Sequence, residues 1–156
     1  ILIDSFVPIC ENNPQCFLLI AGPDGGEKGN ILSKIRKLGL ENNVHLVGEL
    51  SNSEKVDFYA NADVFALASH NENYGNVYIE SLCAGTPIVA SLGSPWSEVE
   101  NAGCGKWVEN EPGCFTRAIN ELLGSDRDVL RENCKKFAIN KDWRNVAAQL
   151  KKVFSR

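Results

Sequence analysis

Short apolar runs, each followed by a segment of helical length, constrain this chain most. Residues 16–21, 44–47, 63–68 and 87–91 are apolar stretches of four to six residues. That is the length of a strand, and each is bounded by glycine, proline, asparagine or serine. Strands alternating with helices imply βαβ units, hence a parallel sheet with helices on both faces. The fold class expected is therefore α/β.

The pass along the chain fills in that alternation. Leu2, Phe6 and Ile9 stand at helical spacing in residues 1–12, with Pro8 straining the pattern. Asn12-Asn13-Pro14 reads as a stop and turn. Residues 16–21 read as a buried strand ended by Gly22-Pro23-Asp24-Gly25-Gly26, and a helix runs from about Glu27 to Leu38, with Gly39 as its C′ residue. Strand 44–47 ends at Gly48, and Ser53 is expected to cap a short helix to Asn61. Strand 63–68, helix 75–84, Gly85 as C′ and strand 87–91 follow. Ser94 and Pro95 read as N-cap and first residue of a helix ending near Gly103, before a short strand at Lys106-Trp107-Val108. Helices are expected over 113–123, 126–139 and 142–154. No internal repeat or low-complexity linker interrupts the chain. We read 1–156 as one domain with 142–156 as a trailing C-terminal helix.

Composition narrows the function. The 156 residues are 44% hydrophobic and 23% charged, ordinary for one soluble domain. The net charge of −4, with no basic block, argues against nucleic acid as the main partner. No apolar run reaches membrane-spanning length, and the first residues lack a signal-peptide pattern. The six cysteines contain no C-x-x-C pair and read as reduced thiols of a cytoplasmic protein. His45 and His70 lack ligand spacing, so no metal site is expected. The chain holds no methionine and opens in a helix-like segment, so we read it as a piece of a longer reading frame.

The chemistry concentrates at Ser69-His70-Asn71-Glu72-Asn73-Tyr74-Gly75-Asn76-Val77-Tyr78-Ile79-Glu80. This is a polar loop between a strand and a helix. If the helix starts at Gly75 or Asn76, Glu72 precedes it and Glu80 lies about one turn in, roughly 6–8 Å along the axis. A helix N-terminus beyond a strand end suits phosphate, through the open amides of Asn76 and Val77 and about half a positive charge. Gly75 permits close approach to the backbone. Carboxylates suit diols, so Glu80 is placed for a ribose and Glu72 for a hexose hydroxyl. Either glutamate alone reads as a complement to the helix dipole or a solvated residue rather than as a ligand. The pair, with Tyr74-Gly75-Asn76 between, points to a nucleotide-sugar site.

The E-x7-E spacing from Glu72 to Glu80, with Ser81-Leu82-Cys83-Ala84-Gly85-Thr86-Pro87 after it, resembles the family 4 (group 1) retaining glycosyltransferases of GT-B fold. Leu18–Pro23, Val44–Gly48, Ala62–Ser69 and Ser94–Glu98 resemble that family's C-terminal domain in the same order. The resemblance implies a Rossmann-like sheet. It implies that Glu80 holds the ribose, that Glu72 contacts the transferred sugar in the catalytic role, and that backbone around Tyr74, Gly75, Asn76 and Val77 meets sugar and diphosphate. It places the base near Gly48-Glu49-Leu50. It implies a nucleotide-sugar donor, no cofactor and no metal, a glycan or lipid-linked acceptor bound by an N-terminal domain, and contact with the inner membrane face as an option. In that family the domain begins with a strand and a loop bearing Arg and Lys for the diphosphate. Neither is in this chain, and the strand is expected between 16–21 and 63–68. On this reading the chain alone binds donor weakly and transfers nothing.

Other features weigh less. Gly22–Gly29 fits no phosphate-loop spacing and reads as a βα turn, with Gly22 bordering the donor cleft. His70 reads equally as a cleft residue on the sugar or a surface residue. His45 reads as packing or edge, Trp96 and Trp107 as core or cleft wall, Trp143 as the anchor of the last helix. Lys135-Lys136 and Lys151-Lys152 read as solvated. A sugar-nucleotide epimerase of the same fold and a non-catalytic interaction module are the rival readings. A receiver-type domain is disfavoured because Asp63 opens its strand.

Overall fold

The computed structural model describes residues 1–141. Helix α1 (Leu2–Asn12) is followed by β1 (Leu18–Ala21), α2 (Lys28–Lys37), β2 (Val44–Gly48), α3 (Asn52–Asn61) and β3 (Phe65–Leu67). Then come α4 (Asn76–Ala84), β4 (Ile88–Ser91), α5 (Glu98–Asn101), β5 (Gly105–Val108), α6 (Pro112–Leu123) and α7 (Arg127–Asn140). The helix expected over 142–154, with Trp143 and Lys151-Lys152, lies outside the described residues.

Every strand pair is parallel, but the strands form two sheets. β1 pairs with β2, and β3–β4–β5 form a second sheet. No ladder joins β1 to β3, so the two strands expected to flank a further strand each stand at a sheet edge.

The three-stranded sheet is covered on both faces. All four residues of β4 are buried. Ile88 and Ala90 pack with Tyr78 and Leu82 of α4, Val99 of α5, and Cys134 and Ala138 of α7. Val89 packs oppositely with Phe115, Ala118 and Leu122 of α6, with Ile1 and Leu2 beside them. Burying an Ile or Val side chain fully contributes about 1.5–3 kcal/mol, which makes β4 the spine of the domain.

Among the described residues the β1–β2 sheet is covered on one face only, which corrects the expectation of a buried strand over 16–21. Leu18, Ile20 and Val44 pack under Ile3, Phe6 and Ile9 of α1 and Ile35 of α2. Leu19 and Val47 remain 46% and 40% exposed on the other face, and His45 stacks on exposed Phe17 with centroids 6.0 Å apart. Alternation therefore decides burial here, as in a one-sided sheet. The half-sheets are joined through α1 and α6: Ile119 touches both clusters, and Thr116 Oγ1 donates to the Ser5 carbonyl at 2.8 Å.

Two expected helix starts move. Ser51, not Ser53, caps α3: its Oγ accepts from the Glu54 amide at 3.4 Å, and the Glu54 carboxylate accepts from the Ser51 amide at 2.8 Å. That reciprocal pair needs a spacing of three residues, which Ser53 lacks. Ser94 does not cap a helix and Pro95 does not open one. Ser97 precedes α5, while Ser94 is buried and donates to the Ser91 carbonyl at 2.8 Å. Burial of Ser94 and of Trp96, 3% exposed, turns this segment inward on either side of exposed Pro95 before the helix begins.

Candidate donor site

The expected site residues lie at the carboxyl ends of the parallel strands, where open α/β sheets bind ligands. The loop from Ala68 to Gly75 leaves β3 and feeds α4. Gly75 precedes the helix at φ 73°, a left-handed conformation that glycine adopts freely. A Cβ there would also sit 2.6 Å from the Tyr78 ring and 2.9 Å from Glu72 Cγ. Glycine therefore serves twice, for the turn and for the close approach of both side chains. Having no side chain, Gly75 cannot cap the helix, and among the described residues nothing else accepts from the first-turn amides of Asn76 and Val77.

The loop is held from behind by the segment after β4. Ser91 Oγ donates to the Ser69 carbonyl, the Glu72 amide donates to the Gly93 carbonyl at 2.9 Å, and Trp96 Nε1 donates to the Tyr74 carbonyl. Gly93 has no room for a Cβ, which would meet the His70 carbonyl at 2.2 Å. Trp107 Nε1 fixes the brace itself, donating to the Ser94 carbonyl at 2.9 Å. The Trp96 ring packs among Tyr74, Tyr78 and Phe137. Glu72 is thereby held by its backbone amide beside the helix start, half-buried.

Glu80 is half-buried one turn into α4 and accepts from the hydroxyl of Tyr59, on α3, at 3.1 Å. Burial, then the charge of Glu80, pushes the Tyr59 phenol far above its ordinary range, so it stays a protonated donor. Thr86 Oγ1 anchors the same tyrosine through its carbonyl at 2.6 Å. One carboxylate oxygen of Glu80 is thus oriented by protein, and a carboxylate keeps further lone pairs for a diol.

His70 is exposed on the loop, with Asn110 Nδ2 at 3.3 Å from its Nδ1. Gly22 and Gly48 stand at the ends of β1 and β2, where the Gly22 amide donates to the Gly48 carbonyl at 2.9 Å. Glu49 is exposed and Leu50 half-buried, in the loop that leads to α3 and so to Tyr59. The structure gathers His70, Glu72, Tyr74, Gly75, Asn76, Val77 and Glu80 on one loop and helix start. It sets Gly22, Gly48, Glu49 and Leu50 at the end of the other half-sheet.

Tyr59, Ser91, Gly93 and Asn110 were not anticipated. The signals were general ones: a buried tyrosine needs a partner for its hydroxyl, and residues just after parallel strands face the binding edge. A separate concavity lined by Asp63, Pro87, Arg127 and Arg131 lies at the opposite, amino-terminal ends of β3 and β4. Among the described residues, no group of three or more His, Cys, Asp or Glu side chains is placed to hold a metal, and no helix is long and apolar enough to cross a membrane.

An acidic pair thus flanks an open helix start at the carboxyl edge of a parallel α/β sheet, the edge at which domains of this class take their ligands. The family model for glycosyl transferases group 1 matches residues 1–141, and the chain belongs to that family. It is 29% identical over 164 aligned positions to a D-inositol 3-phosphate glycosyltransferase of Corynebacterium urealyticum, covering 99% of this chain and 39% of that protein. It is 31% identical over 142 positions to one of Streptosporangium roseum, covering 84% and 33%. The chain thus spans about two fifths or less of the curated relatives named here. Among solved structures, sucrose-phosphate synthase from Thermosynechococcus elongatus superposes with a TM-score of 0.78 at 24% identity, covering 99% of this chain and 41% of that one. HepE of Anabaena in complex with UDP gives 0.78 at 23%, covering 99% and 44%. These neighbours share the GT-B fold, as the sequence reading expected.

Proposed function

We propose that this chain is the donor-binding half of a retaining glycosyltransferase that moves a hexose from a nucleotide diphosphate sugar to a glycan or lipid-linked acceptor. One observation carries the reading: the uncapped start of α4 lies between Glu72, held on the Gly93 carbonyl, and Glu80, oriented by Tyr59. The diphosphate lies on the amides of Asn76 and Val77, the ribose on Glu80, and the hexose on Glu72 and His70. The base lies by Gly48-Glu49-Leu50, with Gly22 at the rim. The match to HepE, whose structures contain UDP and UDP-glucose, supports a uridine nucleotide.

The acceptor is held by an N-terminal domain of the whole protein. A further strand pairs with the free edges of β1 and β3, and Arg and Lys in the loop after it neutralise the departing diphosphate. The reaction then needs no metal, and the protein acts in the cytoplasm, with peripheral contact at the inner membrane face.

Calorimetric titration of the full-length protein with UDP-, GDP- and ADP-sugars tests this. Binding of one of them is expected, with Glu80→Ala weakening it by about 1–3 kcal/mol, the range for losing charged hydrogen bonds. Glu72→Ala is expected to lower turnover and spare nucleotide affinity. Absence of binding to every member of the panel overturns the reading in favour of an interaction module. Isomerisation of the nucleotide sugar without acceptor overturns it in favour of an epimerase.

A further inference from the structure

Asn110 follows β5, at the carboxyl end of the strand beside β4, and reaches across to the loop after β3. Its amide nitrogen Nδ2 lies 3.4 Å from the Ala68 carbonyl and 3.3 Å from His70 Nδ1. A carbonyl oxygen only accepts hydrogen bonds, so the atom facing Ala68 must be the amide nitrogen. Turning the amide over would set oxygen against oxygen. Nδ2 has two protons, one for Ala68 and one for His70. Nδ1 of His70 is then the acceptor, and the ring proton resides on Nε2. Among the described residues Asn110 Oδ1 is buried with no partner, which fits an amide oriented from its nitrogen side.

We propose that Asn110 is a positioning residue that fixes His70 as the Nε2–H tautomer, so that the ring donates to a hydroxyl of the transferred sugar. The proposal rests on the donor-site reading and names how that site tells a hexose from bare nucleotide. Glu72, two residues on, only accepts from hydroxyls, while Nε2–H only donates. A hexose hydroxyl does both, so the two groups are complementary. The Glu72 amide on Gly93 and the His70 ring on Asn110 give each partner a fixed origin.

The test is long-range proton–nitrogen NMR on the full-length protein labelled with 15N-histidine, the His70 signal being the one that vanishes in His70→Ala. Wild type is expected to show the Nε2–H pattern at pH 7.5, and Asn110→Asp to shift the ring to protonation at Nδ1. In parallel, calorimetry compares UDP with UDP-glucose. His70→Ala and Asn110→Asp are expected to weaken UDP-glucose about three- to tenfold, the worth of one hydrogen bond, with UDP unchanged. His70→Gln, whose amide can also donate, is expected to restore most of that loss. An Nδ1–H pattern in wild type overturns the proposal while UDP binding leaves the donor site standing. Equal losses for UDP and UDP-glucose overturn it as well, as a merely structural effect. Failure of both nucleotides to bind wild type counts against the donor site itself and takes the sugar contact with it, whatever tautomer is seen.

Discussion

The hydroxyl of Tyr59 donates to the carboxylate of Glu80 at 3.1 Å, and this bond links α3, which leaves the β1–β2 sheet, to α4, which serves the β3–β4–β5 sheet. Removing the hydroxyl while keeping the ring leaves Thr86 on the Tyr59 carbonyl and the ring against Phe65. Tyr59→Phe is therefore expected to fold normally and to weaken nucleotide affinity by about 1 kcal/mol, because Glu80 loses its fixed orientation. Calorimetry with UDP checks this, and an unchanged affinity removes Tyr59 from the site.

The same phenol, with that of Tyr78, sets an alkaline limit. Burial raises the pKa of both in the folded protein, and Glu80 raises that of Tyr59 further. A raised folded-state pKa contributes stability that is full below the unfolded value, about 10. That stability is lost as pH rises through the folded one. The unfolding free energy is expected to fall above about pH 10, and less steeply in Tyr59→Phe. Urea titrations across pH 8–11 read the slope directly, where about 10 is the tyrosine reference.

Gly93 holds its place by space, not by backbone conformation. Gly93→Ala drives a methyl into the His70 carbonyl and must lift the loop or the brace. The expected cost is about 1–3 kcal/mol of stability, as for overpacked sites. Turnover is expected to fall more than UDP affinity, since the displaced carbonyl holds the Glu72 amide. Thermal unfolding and steady-state rates together decide it; a variant as active as wild type breaks the link between Gly93 and Glu72.

Trp96→Phe keeps a ring among Tyr74, Tyr78 and Phe137 but removes the indole N–H from the Tyr74 carbonyl. A loss of about 1–2 kcal/mol is expected from the hydrogen bond and the smaller ring. Hydrogen exchange at the hydrogen-bonded amides of Glu72 and Tyr78, which flank the Tyr74 carbonyl, is expected to quicken locally. Uniform quickening across β4 would mean a general core defect instead.

The local elements were legible because their signals are local. Gly39, Gly85 and Gly103 take positive φ at or just beyond helix ends, and Gly75 opens α4. The acidic pair is legible because eight residues span one loop and one turn. What escaped depends on chain that comes together only after folding. Tyr59 meets Glu80 across 21 positions, Trp96 meets Tyr74 across 22, and Asn110 meets His70 across 40. No period encodes such pairs. Ser51 was legible in principle, since Ser51-x-x-Glu54 is a capping box, whereas Ser53 stands next to that glutamate. The exposed side of β1 was not, because Leu19 and Phe17 are as apolar as residues that are covered.

The split between β1 and β3 leaves two strand margins whose amides and carbonyls have no ladder partner in the other sheet. Such margins are adhesive: they accept any extended segment that comes alongside. These residues produced alone are therefore expected to self-associate through that seam.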